Sequence, residues 1–409
     1  MDNSFILTEF VPLGLTLERI GPFQDRVEYF DFRDEPGEPS NYFLFLSGNG
    51  RGKTHILETM AALMGVLGNH PEHPANAFGF EPLDMGEGRA QLDFRASYAS
   101  EGASHTIVFS IFGGKAESEI WFKPWTQDML LEVRADRWHN VSVIRRGTSD
   151  FRWAGMGDNW SKDFVSWIAD SVGENVEAFA SSPLSAPTMI YFPAYRDIVK
   201  LPQSEHRAIE PPSDWNYRPL HVFRQEGRSW TESLDNLLVW MLWLDDGRYD
   251  AALEFVNEFM FADSDKELLG IPNRNELVAK VRTLGSIPYR LDQLSSGEKS
   301  LMQIFLRVGA HMTRNTILII DEVDAHLHTQ WRSRISLRLK EMLRRNEGLS
   351  VYLASHAMEI IDSLAIEVDE PNLRKSAAIL ESPEEEERAQ KIQEEVAFLK
   401  RSFEGDIHG

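Results

Sequence analysis

"SGNGRGKT", Ser47–Thr54, follows the apolar run "NYFLFLS" and precedes "HILETMAALMGVLG", whose apolar residues recur at helical spacing. That strand–loop–helix context is the one a phosphate-binding loop requires. In a glycine-rich loop that feeds a helix, the backbone N–H groups of Asn49, Gly50, Arg51 and Gly52 can wrap phosphates, because the helix start offers unpaired donors and a positive dipole end. Lys53 is spaced to reach the β and γ oxygens and Thr54 to ligate Mg²⁺. Ser47 stands where such loops usually open with glycine, while Gly48, Gly50 and Gly52 keep the backbone permissive.

Two further strands supply complementary chemistry. "TILIIDE" is a buried-type run ending in Asp321 and Glu322. Asp321 is placed to hold Mg²⁺ through water, and Glu322 to orient and deprotonate an attacking water. "LASH" ends another apolar strand at His356, whose neutral imidazole can hydrogen-bond a γ-phosphate.

Between the loop and the acidic pair lies "LDQLSSGEKS", Leu291–Ser300. Ser295, Ser296 and Gly297 open a helix, which makes a second anion site. One phosphate loop already has its own helix N-terminus. The second is therefore expected to close over a triphosphate held by another copy, with two copies head to tail and two ATP molecules in the seam.

These four motifs, in this order and context, resemble the ABC-type ATPase head of the SMC, RecF and OLD-like AAA branch. The resemblance covers about 1–145 and 286–370, and the hairpin-like "LTLERIGPFQDRVEYFDF" shares it. It implies an α/β fold: a P-loop ABC-type ATPase head with an antiparallel β subdomain and an inserted, mainly helical region. It also implies an ATP hydrolase using ATP and Mg²⁺, and a homodimer or higher homo-oligomer joined through the ATP sites. Ala325 to His328 take the position of the loop that bridges the two sites. The glutamine this family places near Mg²⁺ has no match: "MIYFPAYRD" offers Tyr195 and Arg196, and Gln127 and Gln203 are only loosely placed.

The expected organisation is an N-terminal ATPase lobe at 1–148, a mainly helical insertion at 149–285, a C-terminal ATPase lobe at 286–380 and an acidic, amphipathic tail at 381–409. Alternating segments from Arg89 to Arg146, "SEIWFKP" among them, predict an antiparallel meander with glycines between the strands. In the tail, Ala389, Ile392, Val396 and Leu399 share one helical stripe.

With 64 acidic against 42 basic residues the net charge is −22, so contact with nucleic acid requires a local basic patch. There is no cysteine, which removes disulfides and thiolate chemistry and suits a reducing cytoplasm. The N-terminus lacks a signal-peptide pattern, and no apolar run approaches the ~20 residues a spanning helix needs. A soluble cytoplasmic protein without a membrane partner is expected. His70 and His73 in "NHPEHP" read as solvated loop residues, and the Trp230–Leu242 stripe reads as core.

Four uses of such a switch compete. A prokaryotic anti-phage sensor ATPase of the OLD-like type is favoured by "DEVDAHLH" and the short middle region. The residues after His356 are too few for a nuclease domain, so the toxic effector is expected on a separate chain. A RecF-like DNA-repair ATPase is the alternative, with "VIRRG" and Arg332–Arg345 as its only basic candidates. Against a transporter subunit stand the "LSSGEK" signature, Asn49 and the large insertion. An inactive scaffold is disfavoured by intact Lys53, Asp321 and Glu322.

Overall fold

The computed structural model describes residues 6–34, 37–48, 50–100, 103–115, 121–147, 150–176, 184–202, 205–225, 229–325, 327, 329–356, 360 and 373–380. Asn49, Gln203, His328 and the tail stripe lie outside these residues.

The first thirty or so residues make the expected hairpin: β1 (Ile6–Glu18) pairs antiparallel with β2 (Glu28–Asp31), closed by a bridge between Ile20 and Phe23. β3 (Tyr42–Leu46) then leads through the glycine loop into α1 (Lys53–Gly65). A short α2 (Glu81–Asp84) precedes two long strands, β4 (Arg89–Ser100) and β5 (Ala103–Lys115). After α3 (Gln127–Glu132) come β6 (Arg137–Arg146), β7 (Asp150–Met156) and α4 (Asn159–Asp170). Asp158 caps α4, its carboxylate accepting the backbone N–H of Ser161 at 2.9 Å.

β8 (Thr188–Phe192) and β9 (Leu220–Val222) are followed by α5 (Leu234–Leu244) and α6 (Arg248–Val256). Three short strands follow, β10 (Lys266–Gly270), β11 (Lys280–Thr283) and β12 (Tyr289–Arg290). The chain ends its described part with α7 (Ser296–His311), β13 (Thr316–Ile320), α8 (Thr329–Arg345), β14 (Ser350–Ser355) and β15 (Lys375–Ile379).

The strands build three sheets. One has six strands in the order β15-β3-β14-β13-β8-β9, all parallel. Its inner strands are apolar runs because both faces are covered. Tyr42, Leu44, Ile190, Phe192, Leu318 and Ile320 face a core shared with α5 to α8. Their neighbours Phe43, Phe45, Met189, Tyr191, Ile317 and Ile319 face a second core shared with α1, α4 and the other large sheet. The two-residue period of a strand thus divides one run of sequence between two cores.

The other large sheet runs β2-β1-β4-β5-β6-β7, and β10-β11-β12 form a small antiparallel one. Two expectations need correction. The segment Arg89–Arg146 is not a pure antiparallel meander, because β5 and β6 run parallel, with Ile107 opposite Arg137 and Lys115 opposite Arg145. Parallel neighbours need a long crossover. That crossover contains α3; Trp121, Phe122, Lys123 and Pro124 of "SEIWFKP" are not strand. Nor does 149–285 stand apart as an insertion, although its regular structure is more helix than strand. β7 completes the first-lobe sheet, β8 lies inside the parallel sheet between β13 and β9, and β10 to β12 are strands. β8 is buried along its whole length, which only a central strand of a covered sheet requires. The Trp230–Leu242 stripe is core: Trp230, Leu234, Leu237, Leu238 and Met241 are buried.

Candidate functional site

β3 and β13 are second neighbours in the parallel sheet, with β14 between them, and all three deliver loops to one edge. At that edge the glycine loop takes the shape its sequence requires. Gly50 has φ +79° and Gly52 φ +95°, left-handed values that other residues resist. A Cβ on Gly52 would also sit 2.7 Å from Pro22 Cγ and 2.8 Å from Phe23 Cε2, so the hairpin tip packs directly on the loop. Gly52 is the N-cap of α1, and no side chain caps that end.

Lys53 is buried and folds back over the loop. Its Nζ donates to Ser47 O at 2.8 Å, Ser47 Oγ at 3.0 Å and Gly48 O at 3.0 Å. The serine in the first position therefore adds an acceptor that glycine would lack. Burial pulls the Lys53 ammonium below its ordinary pKa, while Asp321, Glu322 and Asp324 oppose that shift.

Thr54 Oγ1 donates to Asp321 Oδ2 at 2.7 Å, bringing together two residues far apart in sequence. Asp321 is fully buried, and its other oxygen, Oδ1, has no hydrogen-bond partner among the described residues. Burial raises the Asp321 carboxyl above the usual range. An orphaned carboxylate oxygen beside a hydroxyl is a hard-oxygen donor set, which fits Mg²⁺.

Glu322 has φ +43°, a strained conformation for a glutamate. It lines a cleft of about 390 Å³ together with Tyr195, Asp324, Arg332 and His356. His356 is about half exposed, with Nε2 3.3 Å from Asp324 Oδ2, and Ser355 Oγ donates to Asp324 Oδ1 at 2.7 Å. Glu322 and His356 thus share one opening. Of the expected bridging loop, Ala325 and Leu327 are described.

Ser295 caps α7 through a capping box. Glu298 N donates to Ser295 Oγ at 3.4 Å, and Ser295 N donates to Glu298 Oε2 at 3.0 Å. Ser295 and Ser296 are exposed and Gly297 is buried. Among the described residues, the side-chain hydrogen bonds of Ser295 stay within this box. The P-loop side and the serine side are therefore separate donor sets in one chain.

Glu58 and Arg224 were not singled out from sequence, and Arg196 was noted there only as part of "MIYFPAYRD", with no role. Arg196, only 3% exposed, donates from Nη1 to Asp321 O at 2.7 Å, from Nη2 to Glu322 O at 3.1 Å and from Nε to Ser300 Oγ at 2.9 Å. It ties the acidic pair to α7, and burial brings its pKa down to about 10. Glu58, one helical turn after Thr54, is raised by burial, and its field includes Arg224 and Asp321. The four-residue spacing of Thr54 and Glu58 puts them on one face of α1 and is legible in sequence. Nothing local marks Arg224 or the partners of Arg196. Gln127 opens α3 in the β5–β6 crossover, whereas Gln225 directly follows Arg224 and lines a second cavity.

Residues 192–362 match the family described as "AAA domain, putative AbiEii toxin, Type IV TA system". The search of curated proteins found no match. Among solved structures, the SMC head domain from Thermotoga maritima is 13% identical, with 86% of this chain and 92% of that chain covered and a TM-score of 0.35. The Smc head with an extended coiled coil from Pyrococcus furiosus, bound to the C-terminal domain of ScpA, is 11% identical, with 95% and 100% covered and a TM-score of 0.38. A dimeric bacterial ABC transporter cassette is 10% identical, with 85% and 90% covered and a TM-score of 0.28. No helix among the described residues is long and apolar enough to cross a membrane. The chain has a mixed α/β fold of parallel and antiparallel sheets, and its residues 192–362 are similar to the AAA domain family.

Proposed function

We propose that this chain is a Mg²⁺-dependent ATP hydrolase that dimerises head to tail around ATP and serves as the regulatory switch of a prokaryotic anti-phage system, controlling a separate effector. The observation that carries the reading is the meeting of Thr54 and Asp321 at 2.7 Å, with Lys53 and Glu322 beside them and one Asp321 oxygen unpaired. The toxin–antitoxin description of the matching family supports the defence setting.

Thr54 and Asp321 would hold Mg²⁺, which neutralises charge on the transferred phosphoryl group. Lys53 leaves the Ser47 and Gly48 oxygens to donate to the terminal phosphates. Glu322 takes the proton of the attacking water, and His356 donates to the γ-phosphate from the same opening. Arg196 keeps the Asp321–Glu322 backbone fixed relative to α7. The exposed Ser295–Ser296 end of α7 supplies donors to the nucleotide on the opposite copy.

Gel filtration with ATP tests the reading. Glu322→Gln is expected to bind ATP and accumulate as a dimer, and Lys53→Ala to bind none and stay monomeric. A Glu322→Gln protein that binds ATP but remains monomeric overturns the dimer. The repair alternative is weakened by its own basic helix: Arg338 pairs with Asp263, Arg344 with Glu341, and Arg345 with Glu258 and Glu341. Those charges are already matched within the chain.

A further inference from the structure

We infer that Asp214, His221 and His311 form a binding site for a divalent transition-metal ion of zinc-like preference, joining the C-terminal end of α7 to the edge strand β9. His221 lies in the middle of β9, His311 is the last residue of α7, and Asp214 lies in the connection before β9. One ligand atom from each falls within 4.8 Å of the others.

The polar atoms of this cluster have little else to do. His221 and His311 are 3% and 1% exposed, yet neither ring nitrogen of either one has a hydrogen-bond partner among the described residues. His311 Nε2 lies 3.2 Å from Asp214 Oδ2 but outside hydrogen-bonding geometry. Asp214 Oδ1 is likewise unpartnered. Buried imidazoles almost always find partners, so five orphaned atoms on three neighbouring side chains, with one atom from each within 4.8 Å of the others, call for a ligand.

The surroundings suit a metal. Arg307 Nη1 donates to Asp214 Oδ2 at 2.8 Å, holding the carboxylate and leaving Oδ1 free, as an outer-shell residue does. The imidazoles are 4.5 Å apart between centroids, and Phe223 packs against both, stacked on His221 at 5.8 Å. His311 also sits at a helix C-terminus, where the dipole favours a cation.

Two imidazoles and one carboxylate select zinc-like ions over Mg²⁺, which prefers oxygen. This site is therefore chemically distinct from Thr54–Asp321. Asp214 and Arg307 also line a cavity of about 400 Å³ with Arg224 and Gln225, so the carboxylate side of the cluster borders open space.

The test uses the full chain, stripped with chelator and titrated with Co²⁺ as an optical probe and with Zn²⁺ as competitor. One equivalent per chain is expected, with the intense visible band of a low-symmetry site, displaced by Zn²⁺ and unaffected by Mg²⁺. His221→Ala and Asp214→Asn should abolish saturable binding, and Arg307→Lys should weaken it about 10- to 100-fold. Lys53→Ala should bind Co²⁺ like the parent, so this outcome is independent of the ATP-site reading. Zn²⁺ should also raise the melting temperature of the parent protein, which covers the case of a variant that fails to fold. Absence of both the band and the melting shift in the parent would leave a buried proton-sharing network and overturn the proposal.

Discussion

Arg196 shows how much one side chain decides at the residue scale. Its guanidinium spans the backbone of Asp321 and Glu322 and the hydroxyl of Ser300, and among the described residues no acidic side chain hydrogen-bonds to it. Truncating it orphans buried carbonyls, so Arg196→Ala should cost roughly 2–4 kcal/mol in urea unfolding. A loss under about 1 kcal/mol would show that those carbonyls find other donors. Gly52 gives a second prediction. Its φ of +95° and its contact with Pro22 and Phe23 leave no room for a methyl group. Gly52→Ala should keep the circular dichroism of the fold but lose ATP affinity by about 5- to 150-fold, since the strain of about 1–3 kcal/mol falls on the loop itself. Unchanged ATP binding by calorimetry would contradict this.

At the scale of elements, α7 connects most of the chemistry. Its capping box holds the exposed serines, its third residue past Gly297 meets Arg196, and its last residue joins the histidine cluster. Burial would raise the Glu298 carboxyl, but Lys266 and Ser295 outweigh it and hold it below the usual range. A carboxylate depressed on folding stabilises the native state above its unfolded pKa, and that stabilisation disappears as pH falls through the folded value. Glu298→Gln should therefore be less stable than the parent by about 1 kcal/mol near neutrality. The gap should close in acid; urea midpoints from pH 7 down to pH 3 would show whether it does. The β5–β6 pair illustrates what pattern alone leaves open. Alternation marks both strands, but it is the same for parallel and antiparallel neighbours, and the crossover helix α3 is only six residues long.

For the whole molecule, the decisive question is whether the serine end of α7 serves its own loop or that of a second copy. A mixture of Lys53→Ala and Ser295→Arg proteins answers it. In a head-to-tail dimer the mixed pair keeps one intact site, from the Lys53 of one copy and the Ser295 of the other. About a quarter of parent ATPase activity should return on mixing two inactive proteins. No recovery would place both groups in a single chain's site.

The features legible from residue order were local: the glycine loop between strand and helix, the acidic pair closing an apolar strand, and the capped serine turn. Each is a short-range pattern whose chemistry depends on neighbours a few residues away. Tertiary structure alone decided which side chains face one another. β8 entered the parallel sheet from the middle of a region that read as helical, and it placed Arg196 against Asp321 and Glu322. Asp214, His221 and His311 met because an edge strand packs beside the end of a helix ninety residues later, and no spacing rule encodes that meeting. Burial on both faces of a sheet fixes such encounters, and burial belongs to the folded chain as a whole.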